Sequence, residues 1–316
     1  MTCQQLAISA FGDANCLKLQ SATLSAPQGD QVLVAIAFAG VNPIDAKTRA
    51  GLGWAAQQNK DKLPWVPGYD MAGTVLAVGE DVTQWTIGQR VCGFIGFPLD
   101  GGAYSEQILV EASSLSEVPD GVSLEQAAAL PLAGQTAWQA LEKASVKPKE
   151  RVLILAGAGG VGHLAVQLAY AKGAEVLASC SAENLAFVAG LGAEAVNYQA
   201  GDLKTQIQPV DVLIDLVGGD VGIAALACVK PGGRVVTVPT ITAEAVNASA
   251  KVAGLHAQGM LVSPSVTQNE HMLAMLAKGE LRIHIAAQFP LQQGADAHRQ
   301  IETGRTRGKV VLSMKG

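Results

Sequence analysis

Residues 151–173 read RVLILAGAGGVGHLAVQLAYAKG. Their opening, 152–156, is a continuous apolar run of strand length. Val161, Leu164, Ala165, Leu168 and Ala169 then recur at helical spacing, and Gly173 stands where an amphipathic helix would end. Between the two lies Gly157-Ala158-Gly159-Gly160-Val161-Gly162, a match to G-x-G-x-x-G in its required setting between strand and helix. Gly157 permits the tight turn, Gly159 lets a pyrophosphate approach the backbone, and Gly162 lets helix and strand pack closely. N–H groups at the helix start, with the positive end of its dipole, would hold the phosphates. The alternative is a purely structural glycine turn. The first reading expects a dinucleotide here, with Gly157, Ala158, Gly159, Gly160, Val161 and Gly162 as its cradle.

Strand and helix alternate onward from this turn. Strands are expected over 175–180, 195–198, 211–217 and 234–239, with helices over 182–189, from 218 to about 229, and over 269–278. Apolar strands separated by helices of this length mean a parallel sheet covered on both faces, hence a doubly wound α/β fold. Upstream, β-rich runs at 31–40, 73–79, 87–94 and 104–110 are broken by glycine and proline, which suggests a barrel-like β domain. The texture changes near Pro119. Ser123 and Gln126 form a capping-box pattern ahead of an apolar run, and a second helix is expected over 134–144.

Length and composition agree with two domains. At 316 residues the chain is long for a single core, with 49% hydrophobic and 16% charged residues. Glycine takes 35 positions, above the usual share of about 7%. The formal charge is −5 and no basic run appears, which argues against a nucleic-acid partner. No stretch of about 18 apolar residues is present, so no membrane span is expected. Five scattered cysteines (Cys3, Cys16, Cys92, Cys180, Cys228) form no C-x-x-C pair. With no secretory pattern at the amino terminus, a reduced cytoplasmic protein is expected.

The form of the dinucleotide depends on the end of the next strand. NAD needs an Asp or Glu there for the ribose hydroxyls, whereas this chain has Ala178-Ser179-Cys180-Ser181 and no acid before Glu183. Ser179 and Ser181 would donate to a 2′-phosphate, so NADP(H) is expected. The alternative is a pair of ordinary strand-end and N-cap serines.

With that turn read, the chain resembles the medium-chain dehydrogenase/reductase superfamily, in its zinc-independent quinone oxidoreductase and enone reductase branch. The segments that carry the resemblance are 39–45 (AGVNPID), 66–73 (VPGYDMAG), 88–91 (GQRV), 129–137 (ALPLAGQTA), the glycine turn and 308–312 (GKVVL). The resemblance implies a Rossmann doubly wound parallel sheet inserted in a GroES-like β-barrel domain. The GroES-like part is expected over 1–121 with 281–316 returning to it, and the Rossmann part over 122–280. A cleft between the two is expected to hold nicotinamide and substrate, and a homodimer is expected because relatives commonly join the edges of two Rossmann sheets.

Zinc-dependent relatives use a Cys, a Gly-His-Glu motif and a second Cys or Asp. Here Asn42 stands at the first ligand position and Gly68-Tyr69-Asp70 replaces Gly-His-Glu, so no metal is expected. Without a Lewis acid a simple ketone is a poor acceptor, whereas a quinone or α,β-unsaturated carbonyl spreads the charge that hydride leaves behind. The resemblance puts Asn42 against the nicotinamide region. Lys47 is a candidate donor to the oxyanion or the 2′-hydroxyl, with a solvated loop lysine as the alternative, and Asp45 is expected to fix its loop. Thr136, Asn184, Tyr198 and Val217 are added to the cofactor-binding set. Asn184 departs from a Lys common in the family, which would relax cofactor preference. From the returning tail, Arg307 rather than Lys309 is counted with that set. Trp54 and Trp65 are expected to flank the substrate mouth or to serve as packing. The competing functions are a zinc-dependent alcohol dehydrogenase and a non-catalytic NADPH-binding protein.

Overall fold

The computed structural model describes residues 2–315. These form two compact units: one runs to Gln135 and resumes at Ser263, the other is Thr136–Val262. In the first unit, β1 (Thr2–Ala7) pairs antiparallel with β2 (Lys18–Thr23). Then come β3 (Gln31–Val41), α1 (Pro43–Arg49), α2 (Gly53–Asn59), β4 (Asp70–Val78), β5 (Arg90–Phe94), β6 (Gln107–Glu111) and β7 (Leu115–Glu117). Helices α3 (Leu124–Ala129) and α4 (Pro131–Lys143) follow. The start of α3 is set by its capping box, with Ser123 Oγ accepting from Gln126 N and Gln126 Oε1 from Ser123 N, both at 3.1 Å.

The second unit alternates β8 (Arg151–Ile154), α5 (Gly162–Ala171), β9 (Glu175–Cys180), α6 (Leu185–Ala189), β10 (Glu194–Asn197) and α7 (Leu203–Gln206). It continues through β11 (Val210–Asp215), α8 (Gly219–Ala225), β12 (Val229–Thr237), α9 (Ala243–Val252) and β13 (His256–Gly259). All adjacent strands pair in parallel, in the order β10-β9-β8-β11-β12-β13. This is the 3-2-1-4-5-6 order of a Rossmann sheet, whose switch point lies between β8 and β11. Leu153, Leu177, Leu213 and Val235 pack with Val246, Ala250 and Leu255 on one side, while α5 lies along β8 and β9. Continuous burial along β8, β9 and β11 is what apolar runs without alternation require.

The chain then returns to the first unit through α10 (Val266–Ala277), β14 (Ile285–Pro290), α11 (Gly294–Glu302) and β15 (Lys309–Ser313). β15 pairs antiparallel with β3, setting Val310 opposite Val41 and Leu312 opposite Ala39. The expected return of the tail to the β domain is therefore present as a sheet. The units differ from the expected division at 121/122 and 280/281. α3 lies on β3 and β4, and α10 on β5 and β7, where Asn269 Nδ2 donates to Ser116 Oγ at 3.0 Å. Helical texture marked those segments as part of the α/β block, but their apolar faces are buried against the first unit. α5 also differs from an amphipathic helix, since every residue from Gly162 to Ala169 is buried.

Candidate active site

The glycine turn sits at the switch point of the second unit. β8 stops at Ile154, two residues short of expectation, because Ala156 adopts φ 52° and starts the turn. That left-handed conformation costs a non-glycine residue roughly 1–2 kcal/mol. It is held by three hydrogen bonds: Ala156 N donates to Ser179 Oγ (3.2 Å), Gly157 N to Ser179 O (2.8 Å) and Gly159 N to Ala156 O (2.9 Å). Ser179 is thus buried as a brace of the turn, not displayed at its rim.

The three motif glycines are required for different reasons. A Cβ on Gly157 would lie 2.6 Å from Ala178 Cβ, and one on Gly162 would lie 2.1 Å from Ala156 O. A Cβ on Gly159 would meet only Ala156 O, at 3.3 Å. Packing inside the chain therefore demands the first and third glycines, and the second faces open space, as a phosphate-binding turn requires. Val161, the residue before α5, places no side chain on the helix N-terminus, which leaves N–H groups for an anion. His163 is buried with Nδ1 2.9 Å from Gly159 O, so Nδ1 carries the proton and donates to that carbonyl. These residues fit the pyrophosphate of a dinucleotide.

Past β9, Ser181 Oγ lies 3.3 Å from Glu183 Oε1 and accepts from Asn184 Nδ2 at 2.9 Å. Ser181, Asn184 and Tyr198, which is exposed, gather at the ends of β9 and β10 with Glu183 among them. Ser181 and Asn184 are neutral donors. Val217 is exposed on the loop after β11. That loop is organised by Asp215, a buried residue missing from the expected set. Its carboxylate accepts from Val217 N (3.0 Å), Gly218 N (2.7 Å) and Thr237 Oγ1 (2.7 Å). Only its place at the end of an apolar strand marked it in the sequence. Thr136 is buried on α4.

The first unit holds a second constellation. Asn42, at the start of α1, is 2% exposed, and its Nδ2 donates to Asp70 Oδ2 at 2.8 Å. Asp70 opens β4 and is fully buried; its Oδ1 accepts from Leu132 N at 2.7 Å, in the first turn of α4. Gly40 makes room for this carboxylate, since a Cβ there would lie 2.8 Å from Asp70 Oδ2. Lys309, the first residue of β15, donates to Val41 O at 3.1 Å and to Asn42 Oδ1, with Nζ 3.9 Å from Asp70 Oδ2. Burial lowers the Lys309 pKa, and the charges of Asp70 and Asp45 oppose that shift. Burial likewise raises Asp70, opposed by Lys309 and by hydrogen bonds from Asn42 and Leu132.

Asp45 accepts from Asn42 N at 2.8 Å, the loop-fixing contact expected of it, and from Tyr104 Oη at 3.1 Å. Tyr104 Oη also lies 3.1 Å from Nε2 of buried His298. Burial raises Asp45 to about 7, helped by Asp70, and burial with the Arg49 charge lowers His298 to about 3. Lys47 stands exposed in the last turn of α1, and partial desolvation lowers its pKa. Arg307 is half-buried, and its charge adds to the burial that lowers His284. The tail residue that meets Asn42 is Lys309. Trp65 is buried, donating to the carbonyls of Leu99 and Asp100, so packing accounts for it; Trp54 is half-buried in α2.

No three His, Cys, Asp or Glu side chains converge as a metal-holding group among the described residues. Tyr69 donates its hydroxyl to Pro98 O at 3.0 Å, and Asp70 is engaged as above. No described helix is long and apolar enough to cross a membrane.

Two family models match the chain: an alcohol dehydrogenase GroES-like domain over residues 28–120 and a zinc-binding dehydrogenase over 191–312. A 2-methylene-furan-3-one reductase of Solanum lycopersicum is 36% identical, over 96% of this chain and 76% of its own. The quinone oxidoreductase from Coxiella burnetii superposes with a TM-score of 0.96 at 41% identity, over the whole of both chains. Escherichia coli quinone oxidoreductase complexed with NADPH gives 0.85 at 26% identity, covering 98% of this chain and 99% of that one. The Rossmann order around the glycine turn, the β domain closed by the returning tail and these likenesses lead to one assignment: the chain belongs to the medium-chain dehydrogenase/reductase superfamily, in its quinone oxidoreductase and enone reductase branch.

Proposed function

We propose that this chain is an NADPH-dependent reductase of quinones or α,β-unsaturated carbonyl compounds that works without a catalytic metal. The observation that carries the reading is the buried Asn42–Asp70–Lys309 cluster. Asn42, at the first ligand position of the metal-dependent relatives, is hydrogen-bonded to Asp70 and to the Lys309 ammonium, and Tyr69, at the histidine position of their Gly-His-Glu motif, donates to Pro98 O. Bound NADPH supplies hydride. The chain's own task is to hold the acceptor and to stabilise negative charge on its oxygen. A conjugated acceptor suits such a site, because its enolate or hydroquinone anion is delocalised. Asn42 and Lys47 are the proposed groups for that charge, and Lys47→Ala is expected to lower kcat more than it raises KM.

NADP(H) is part of the proposal, held at the ribose end by Ser181, Asn184 and Tyr198 and supported by the NADPH complex of the Escherichia coli relative. Ser181 and Asn184 donate without charge, so the preference over NADH is modest. A cytoplasmic homodimer belongs to the same reading; β13 offers an open edge of the second sheet for it. The test is steady-state oxidation of NADPH against quinones, short enals, saturated ketones and alcohols, with the metal content of the purified protein measured alongside. Turnover of conjugated acceptors by metal-free protein is expected. Stoichiometric zinc with alcohol oxidation would replace the reading by a dehydrogenase, and tight NADPH binding without turnover by a binding protein.

A further inference from the structure

We propose that Lys309 is a positioning residue of this reduction site, orienting the Asn42 amide so that it offers an N–H to an oxygen that gains negative charge. The inference rests on the reductase reading above and names what selects the acceptor there. An ammonium can only donate and a carboxylate can only accept. Lys309 Nζ addresses Asn42 Oδ1, and Asp70 Oδ2 receives one Nδ2 proton at 2.8 Å. The flipped amide would set its nitrogen against the ammonium and its oxygen against the carboxylate. One orientation survives, and in it the second Nδ2 proton remains to be donated.

The mount is rigid. Lys309 lies in a strand, with its N–H on His284 O at 2.8 Å and the next residue in register with Val41. Asn42 is held at its backbone by Asp45. Lys309 is 3% exposed, and a charge so buried costs several kcal/mol before pairing. A methionine would fill similar space without that cost, so packing alone gives no reason for an ammonium here. A site with a fixed amide donor takes acceptors in which the negative charge left by hydride settles on a carbonyl or quinone oxygen.

The test is a double-mutant cycle on kcat/KM for a quinone or enone, with melting temperatures as a check on folding. Lys309→Met is expected to lower kcat/KM about tenfold or more, as for a misplaced reacting contact. Lys309→Gln, which keeps an N–H for Asn42 Oδ1, is expected to recover part of the loss. In an Asn42→Ala background Lys309→Met should add nothing, because the two act as one unit. Additive losses, or a Lys309→Met enzyme within twofold of wild type, would overturn the proposal. Should Lys309→Met not fold, Lys309→Gln serves in the same cycle, with a smaller loss that again vanishes beside Asn42→Ala. A wild-type chain inactive on every acceptor sinks the reductase reading instead. The Asn42 side-chain amide signals in NMR then still decide the orienting role: slow solvent exchange in wild type and fast exchange in Lys309→Met support it, and unchanged exchange overturns it.

Discussion

Gly159→Asp separates binding from folding at the glycine turn. A Cβ at 159 meets only Ala156 O, at 3.3 Å, so the backbone accommodates a side chain with a shift of tenths of an ångström. The carboxylate then stands where the turn would receive a phosphate. Two like charges about 4 Å apart at an effective dielectric constant of about 20 repel by about 4 kcal/mol. That converts to about a thousandfold loss of NADPH affinity. Gly162→Ala is the opposite case: its methyl would lie 2.1 Å from Ala156 O, so the turn itself must move, at about 1–3 kcal/mol of stability. Calorimetric titration with NADPH and thermal melting of both variants give the comparison. Gly159→Asp should melt near wild type and bind poorly, while Gly162→Ala should melt lower. A Gly159→Asp chain that binds NADPH within tenfold of wild type would refute the placement of the pyrophosphate.

Asp45, raised to about 7 by burial, retains in the folded chain a proton that the unfolded chain loses near pH 4. Its contribution to stability is therefore complete below about pH 4 and disappears as pH rises through 7. His298, lowered to about 3, works in the other direction: its contribution is present above about pH 6.5 and lost as pH falls through 3. Asp45→Asn removes the first effect, so the stability of the variant relative to wild type should rise between pH 4 and 7, by up to about 1.4 kcal/mol per pH unit. Denaturant melts across that range check it, and a flat difference would contradict the assignment. Asn184→Lys adds a cation beside Ser181 and should raise the preference for NADPH over NADH by about tenfold, read as the ratio of kcat/KM values.

The second unit was legible because apolar strands, a helix-spaced stripe and a glycine turn are local patterns. Right-handed crossovers then leave a doubly wound sheet, and the order β10-β9-β8-β11-β12-β13 is the structure's own contribution. The Ser123–Gln126 cap was legible for the same reason. In the sequence Ser179 reads as a hydroxyl near phosphate, but a buried strand end also needs an acceptor for the N–H of Ala156, and the serine meets that need. The first unit's cluster was far harder to see. Asn42, Asp70, Tyr104, His298 and Lys309 come from distant parts of the chain: Asn42 and Asp70 meet through the β3–β4 pairing, Lys309 joins them through β15 on β3, and Tyr104 and His298 meet beside Asp45. Asn42, Asp70 and Lys309 stand in segments that carry the family resemblance, but a lone lysine before a valine pair gives no sign that it will be buried beside the other two. Asp215 was hidden likewise, since its three donors come from the loop after β11 and from the neighbouring strand.

Isotope transfer reads the proposed reaction without intermediaries. Wild-type protein is incubated with NADPH carrying deuterium at both C4 positions and with an enone, and the product is located by mass spectrometry and NMR. One deuterium at the β-carbon, with the carbonyl intact, is the expected result. Deuterium at the carbonyl carbon, or a product without deuterium, would contradict conjugate hydride transfer by this chain.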